Sequence, residues 1–317
     1  MQPYPGDITK VHGIRVGQAQ NEQARTGVTV VLGPRDGAKT GVSVRGGAPG
    51  TRETDALRPG NLVEVAHAVA LCGGSAFGLA AADGVMRFLA QAEIGIDMEI
   101  ARVPIVPAAS LFDLGVGDAS VYPDAAMGRA AASSAGKSLS QGPYGAGCGC
   151  TVGKLVQNAV PQRGGIGSAS LTLPEGITVG ALVAVNAVGD VYHPATRECI
   201  ACAHMPDGTP VMADGLLFGA GPGRAQMRIP PPGTSTAIGV VAVDCRLSKD
   251  EVFRLADVAH GGLARVIRPS HTQMDGDTLF AMATERVLSD VNFIKVCAAA
   301  QEVTARAVVN AVLFAQA

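Results

Sequence analysis

Three hydroxyls stand in a row at Thr234, Ser235 and Thr236. Before them is a stiff Pro230-Pro231-Pro232-Gly233 lead, and after them an apolar run from Ala237 to Val243 that ends at Asp244. A hydroxyl at the first position of a buried strand can attack the carbonyl of the residue before it and cut the chain. The α-amine freed by the cut has a pKa of about 7.7–8.0, so part of it is neutral near pH 7 and can serve as base for its own hydroxyl. An ordinary Ser/Thr turn entering a strand fits the same pattern. Composition and strand patterning do not choose among the three hydroxyls.

Other residue types have the chemistry to support such a nucleophile. Asp275 and Asp277 flank Gly276 at the mouth of an apolar run; two carboxylates at this spacing can hold an ammonium, or simply make a solvated turn. Lys154 lies in the apolar stretch 149–156, where it either reaches solvent from a sheet edge or lowers the pKa of a nearby amine. Asn186 also sits in an apolar strand. It must be hydrogen-bonded there, as an oxyanion donor or as a backbone clamp. A rival nucleophile is Ser75 in "LCGGSAFG", but Phe77 stands where a G-x-S-x-G elbow needs its second glycine. That stretch reads as a glycine turn with Ser75 capping a helix, and the free N–H groups of Gly73, Gly74 and Ser75 are candidates to line a pocket. "CIAC" (199–202) is a lone C-x-x-C with only His204 near it, too few ligands for zinc, so no metal is expected. The six histidines do not cluster in the sequence; His67 and His193 are the candidates to serve Ser75.

These residues need strands and helices to position them. Strands are expected at 26–33, from 40 onward, within 102–110, in three runs between 149 and 191, at 237–243 and at 277–284. Helices are expected at 75–91, 124–136, 248–267 and 289–315; Ser248 and Glu251 form a capping box at the start of the third. The strands are apolar on both faces, which calls for cover on both sides. Two packed sheets with helices outside them, an α/β sandwich, satisfy that demand. The one strong composition break is the Gly/Pro-rich loop 219–235, and the 82 residues after it are too poor in strands to fold alone.

Composition excludes several function classes. With 47% hydrophobic residues the chain can bury a large core. Charged residues are 16%, the net charge is −2 and no basic run appears, which argues against nucleic acid as a partner. No stretch of about 18 residues is uniformly apolar, so no membrane partner is expected. The N-terminus lacks the pattern of a signal peptide, and seven irregularly spaced cysteines read as reduced, cytoplasmic thiols.

Taken in order, "ITKVHGIRVGQAQ", "TGVTVVL", "RGGAPGTRETDAL", "LCGGSAFGLAAADGVMRFL", "GAGCGCTVGKL", "GGIGSASL", "TAIGVVAVD" and "DGDTLFA" resemble the DmpA-type aminopeptidases, above all the branch containing the nylon-oligomer hydrolases. The resemblance spans essentially the whole chain. It implies a four-layer αββα sandwich similar to, but connected differently from, the N-terminal-nucleophile hydrolases. It implies a self-processing domain (1–317) cut before a Ser or Thr into chains that stay together, assembled as homo-oligomers (a tetramer of αβ heterodimers), without cofactor or metal. The family nucleophile stands eight residues before a strand-end Asp, which here points to Thr236 and to chains 1–235 and 236–317. Lys154, Asn186, Asp275 and Asp277 match positions the branch uses around its nucleophile, and Phe112 falls about where it has a pocket Tyr. Ser235 replaces a frequent Asn. The implied activity is hydrolysis of small peptides, amino-acid amides or aminohexanoate oligomers through an acyl-enzyme. An acyltransferase of the ornithine acetyltransferase type and an unprocessed binding protein are the alternatives.

Overall fold

The structure is a computed structural model and describes residues 1–219, 226–288 and 292–317. Its frame runs β1 (Arg15–Asn21), β2 (Thr26–Leu32), β3 (Ala38–Val44), β4 (Gly50–Arg52), β5 (Val65–Ala66), β6 (Ala68–Cys72), α1 (Ala81–Gln91), β7 (Ala108–Ser110), α2 (Ala125–Ser133), β8 (Gly165–Thr172), β9 (Thr178–Asn186), β10 (Thr236–Cys245), α3 (Lys249–Val266), β11 (Thr278–Val287) and α4 (Phe293–Gln316). One sheet has the order β1-β2-β6-β7-β4 and the other β8-β9-β10-β11-β3-β5. Neighbours are antiparallel except β6 with β7 and β10 with β11.

The strand pattern follows from two-sided burial. Along β10, Ile238, Val240 and Ala242 enter the core between the sheets, while Ala237, Val241 and Val243 enter the core under α3 and α4. β11 alternates the same way, with Phe280 and Met282 between the sheets and Leu279, Ala281 and Ala283 under the helices. The other sheet turns Val31 and Leu71 inward, and Val28, Val30 and Ala70 outward beneath α1 and α2. Period-two alternation with apolar residues at both phases therefore produces four layers: helices, sheet, sheet, helices. Phe280 is fully buried in the middle layer, where truncation to Ala would cost about 3–5 kcal/mol.

The helix starts obey local rules. Ser248 and Glu251 close the expected capping box on α3, and Asn292 caps α4 through the N–H of Ile294. Residues 289–291, placed by the sequence in that last helix, lie outside the described residues, as do 220–225 of the Gly/Pro-rich loop. The single helix expected over 75–91 is two pieces, Ser75–Gly78 and α1. Gly78 lies so close to the Gly73 carbonyl that a Cβ there would stand 1.8 Å from its oxygen. The helix cap is Gly74, in the left-handed region at φ 75°; Ser75 is the first helical residue and its side chain makes no capping bond. The apolar stretch around Lys154 forms a strand only at Thr151–Val152, which leaves Lys154 in the loop beyond it. Four strands of the frame are not foreseen: β1, whose polar outer residues hide its alternation, the very short β4 and β5, and β6, a short, wholly buried run.

This topology places the Thr236 end of β10 centrally. β10 and β11 come from the last 82 residues, yet they pair with β9 on one side and β3 on the other. The two parts of the chain thus share one sheet and one core.

Candidate active site

Alternation along β10 puts Thr236 on the same face as Ile238, toward the layer between the sheets. In the ladder Thr236 lies opposite Asn186, the last residue of β9, so the two side chains share that face. Ser235 is fully buried and Thr236 is 2% exposed. The Thr236 hydroxyl donates to the carbonyl oxygen of Ser235, the carbonyl of its own upstream peptide bond. The Gly276 N–H donates to that same oxygen at 2.9 Å. The carbonyl oxygen of one peptide bond therefore accepts both from the hydroxyl of the residue after it and from a fixed backbone donor. A Cβ at position 276 would lie 3.0 Å from the Thr236 hydroxyl oxygen and 2.7 Å from the Ala48 carbonyl oxygen, so the donor can approach only as glycine without a local shift.

The flanking carboxylates hold this arrangement from behind. Asp277 accepts from the Ala237 N–H at 2.7 Å and from the His271 ring at 2.7 Å. Asp275 accepts from the N–H and hydroxyl of Thr272 at 2.9 and 2.7 Å. No hydrogen bond runs from either carboxylate to Thr236 in the intact chain. The loop after β3 clamps the turn from outside, with Arg45 N–H on the Asp277 carbonyl and Ala48 N–H on that of Asp275. Burial, then the nearby Asp277 carboxylate, push the Asp275 carboxyl up to about 6. Burial works against protonation of His271, but its hydrogen bond to Asp277 and the Asp277 charge outweigh that and raise its pKa. His260 packs edge-on to His271 at 4.9 Å; burial pushes its pKa down to about 4.

Lys154 comes from the opposite side. Its amine donates to the Asn186 carbonyl and side-chain oxygens, each at 2.8 Å, and to the Thr234 carbonyl at 3.0 Å. Burial pushes its pKa down to about 7, against the pull of Cys150, Asp275 and Asp113. Asn186 accepts from the Thr151 N–H at 3.0 Å and gives its amide N–H to the Phe112 carbonyl at 2.7 Å. In the intact chain it thus makes the contacts of a clamp between Lys154, Thr151 and Phe112.

A cavity of about 720 Å³ opens beside these residues, with Phe112, Val116, Thr151, Lys154, Pro231 and Thr234 in its walls. Gly73, Gly74 and Ser75 are not among its lining residues. The Gly74 N–H is instead taken at 2.7 Å by buried Asp113, and the Gly73 N–H by the Gly27 carbonyl. The histidines considered for Ser75 are engaged elsewhere, His67 with the Ile105 N–H and His193 with Tyr4 and Thr196. Among the described residues no group of three or more His, Cys, Asp or Glu could hold a metal ion.

Sequence reasoning assembled Thr236, Lys154, Asn186, Asp275 and Asp277. It missed Gly276 as a donor, and His271 and Thr272 as anchors of the two carboxylates. The signal for Gly276 was its place between the two aspartates. Nothing in the spacing pointed to the histidine.

The model of peptidase family S58 matches residues 6–317, and the chain belongs to that family. It is a peptide- or amide-bond hydrolase. An uncharacterised aminopeptidase of Mycobacterium leprae is 43% identical over 342 aligned positions, covering 98% of this chain and 90% of the relative. A 6-aminohexanoate-oligomer endohydrolase of Paenarthrobacter ureafaciens is 32% identical over 281, covering 87% and 74%. The structure of a Burkholderia sp. beta-aminopeptidase superposes with a TM-score of 0.68 at 25% identity, covering 99% of this chain and 88% of the other. The L-aminopeptidase D-Ala-esterase/amidase of Ochrobactrum anthropi, described as a variant of the Ntn hydrolase fold, superposes at 0.70 with 21% identity over the same shares and so bears on the fold alone.

Proposed function

We propose that the chain is a self-processing amide hydrolase whose nucleophile is Thr236. The observation that carries this reading is the Ser235–Thr236 peptide bond: buried, its carbonyl oxygen accepting from both the Thr236 hydroxyl and the Gly276 N–H. Attack of Thr236 Oγ1 on the Ser235 carbonyl carbon puts negative charge on the oxygen that Gly276 already holds, which is where a preorganised donor lowers the barrier. Collapse breaks the peptide C–N bond as the departing nitrogen takes up the proton that Oγ1 gave up, which leaves an ester on Thr236 with its amine free. Water then hydrolyses the ester, giving a carboxylate on Ser235 and an N-terminal Thr236. The two chains remain joined because β10 and β11 sit between β9 and β3.

In the mature protein the Thr236 amine takes the proton of its own hydroxyl as that oxygen attacks a substrate amide. The leaving amine departs, an acyl ester forms on Thr236, and water releases the acid. Lys154 tunes the amine by charge, Asn186 fixes Lys154 and the Phe112 backbone, and Asp275 with Asp277 hold the strand end. The substrates proposed are small peptides, amino-acid amides or aminohexanoate oligomers, the classes suggested by the names of the relatives. Mass spectrometry of the purified protein tests the reading. Chains ending at Ser235 and beginning at Thr236 are expected. An intact chain whose amidase activity survives Thr236→Ala would overturn it.

A further inference from the structure

The cavity beside Lys154 has an unusual charge. Besides Lys154 its walls carry Arg25, Arg163 and Arg228, and no acidic side chain lines it among the described residues. Among the described residues, none of the three arginines makes an ion pair or a side-chain hydrogen bond, whereas Arg45, Arg52, Arg254, Arg265 and Arg286 all pair with carboxylates.

Three separate pieces of backbone bring these cations together. Arg25 lies in the turn between β1 and β2, held in the left-handed region at φ 54°. Arg163 pairs across a two-residue ladder with Thr151, whose N–H is held by Asn186. Arg228 donates its backbone N–H to the Leu155 carbonyl at 2.7 Å, next to Lys154. The chain as a whole carries a net charge of −2, so this concentration of positive charge is local.

We infer that this cleft selects amide substrates that carry a carboxylate, either a free C-terminal one or an acidic side chain. This rests on the proposed hydrolase reading. A concave site lined by one sign of charge concentrates ligands of the other sign, and guanidinium groups match carboxylates in a two-pronged geometry. Arginines with no side-chain partner among the described residues give up none of those contacts when a carboxylate arrives. Thr234 and Pro231, which lie just before Thr236 in the chain, also line the cleft, so a substrate held there is near the Ser235–Thr236 bond.

The test uses the purified protein and three substrates with one N-terminal residue: an aminoacyl-glycine, its C-terminal amide, and an aminoacyl-glutamate amide. The first and third separate the two sources of carboxylate. At least one carboxylate substrate should exceed the neutral amide by about tenfold in kcat/KM, mostly through KM, and the ratio should shrink with added salt. In Arg163→Gln/Arg228→Gln the ratio should fall toward one. Equal turnover of all three, or a ratio untouched by these substitutions, would overturn the inference. So would variants that only slow self-cleavage with selectivity intact, because the arginines would then serve the new Ser235 carboxylate. If no amide is hydrolysed, the hydrolase reading itself fails. Calorimetric titration with acetylglycine and acetylglycinamide then decides the cleft separately: tighter binding of the acid supports it, and equal or no binding of the two overturns it.

Discussion

Ser75 and Thr236 are both small hydroxyls at the start of an element, and glycines attend both, yet their surroundings differ completely. Ser75 follows Gly73 and Gly74 into a one-turn helix; its N–H is spent on the Leu111 carbonyl and its hydroxyl has no hydrogen-bond partner among the described residues. The buried carboxylate nearest that turn, Asp113, is occupied with the Gly74 N–H. Thr236 has a backbone donor aimed at the adjacent carbonyl and an asparagine across the ladder. A lysine sits one peptide upstream, and two carboxylates are anchored behind it by Thr272 and His271. A local motif supplies a hydroxyl; what arrives from other strands decides whether it can react.

The sharpest way to break this contrast is Thr236→Ala. It should abolish the two chains and lower amide turnover by about a thousandfold or more, read by mass spectrometry and an aminoacyl-anilide assay. Gly276→Ala comes next. Its Cβ would crowd the Thr236 hydroxyl and the Ala48 carbonyl and shift the donor, slowing self-cleavage by about a hundredfold in a time course of fragment appearance.

The third prediction concerns pH. Folding lowers the Lys154 pKa from 10.5 to about 7, so between these values the unfolded chain binds the extra proton. Stability should therefore rise with pH across that window, by up to roughly 1.4 kcal/mol per pH unit from this group, and level off above it. Urea midpoints measured through the window would show the slope, and Lys154→Met should flatten it. The smallest effect is expected from Ser75→Ala, which should leave turnover and self-cleavage within about twofold of the parent. A large loss there would transfer the nucleophile role to the glycine turn.

Much of the frame was legible because it follows from short-range rules. The two-sided apolar strands demanded cover on both faces, and the Ser248 capping box marked its helix to the residue. Ser75 is not the cap its residue type suggests, because a left-handed Gly74 takes the cap position itself, which side-chain preference does not reveal. The apolar neighbours of Lys154 read as a strand, but the residue lies in the loop beyond Val152. They are apolar because the loop is buried against Asn186 and the segment before Thr236. The arginines of the cleft left no trace in the sequence, since positions 25, 163 and 228 converge only after folding.

By itself the sequence determined the layered frame, the buried strand beginning at Thr236 and the residue types that stand round it, because alternation and capping act over a few residues. Family resemblance then singled out Thr236 among three hydroxyls. Only the tertiary structure decided that Gly276 holds the Ser235 carbonyl and that His271 and Thr272 anchor the aspartates. It also decided that the neighbouring cleft is cationic. These contacts join strands and loops far apart in the chain, and hydrogen bonds and charge respond to distances in space that no local pattern encodes.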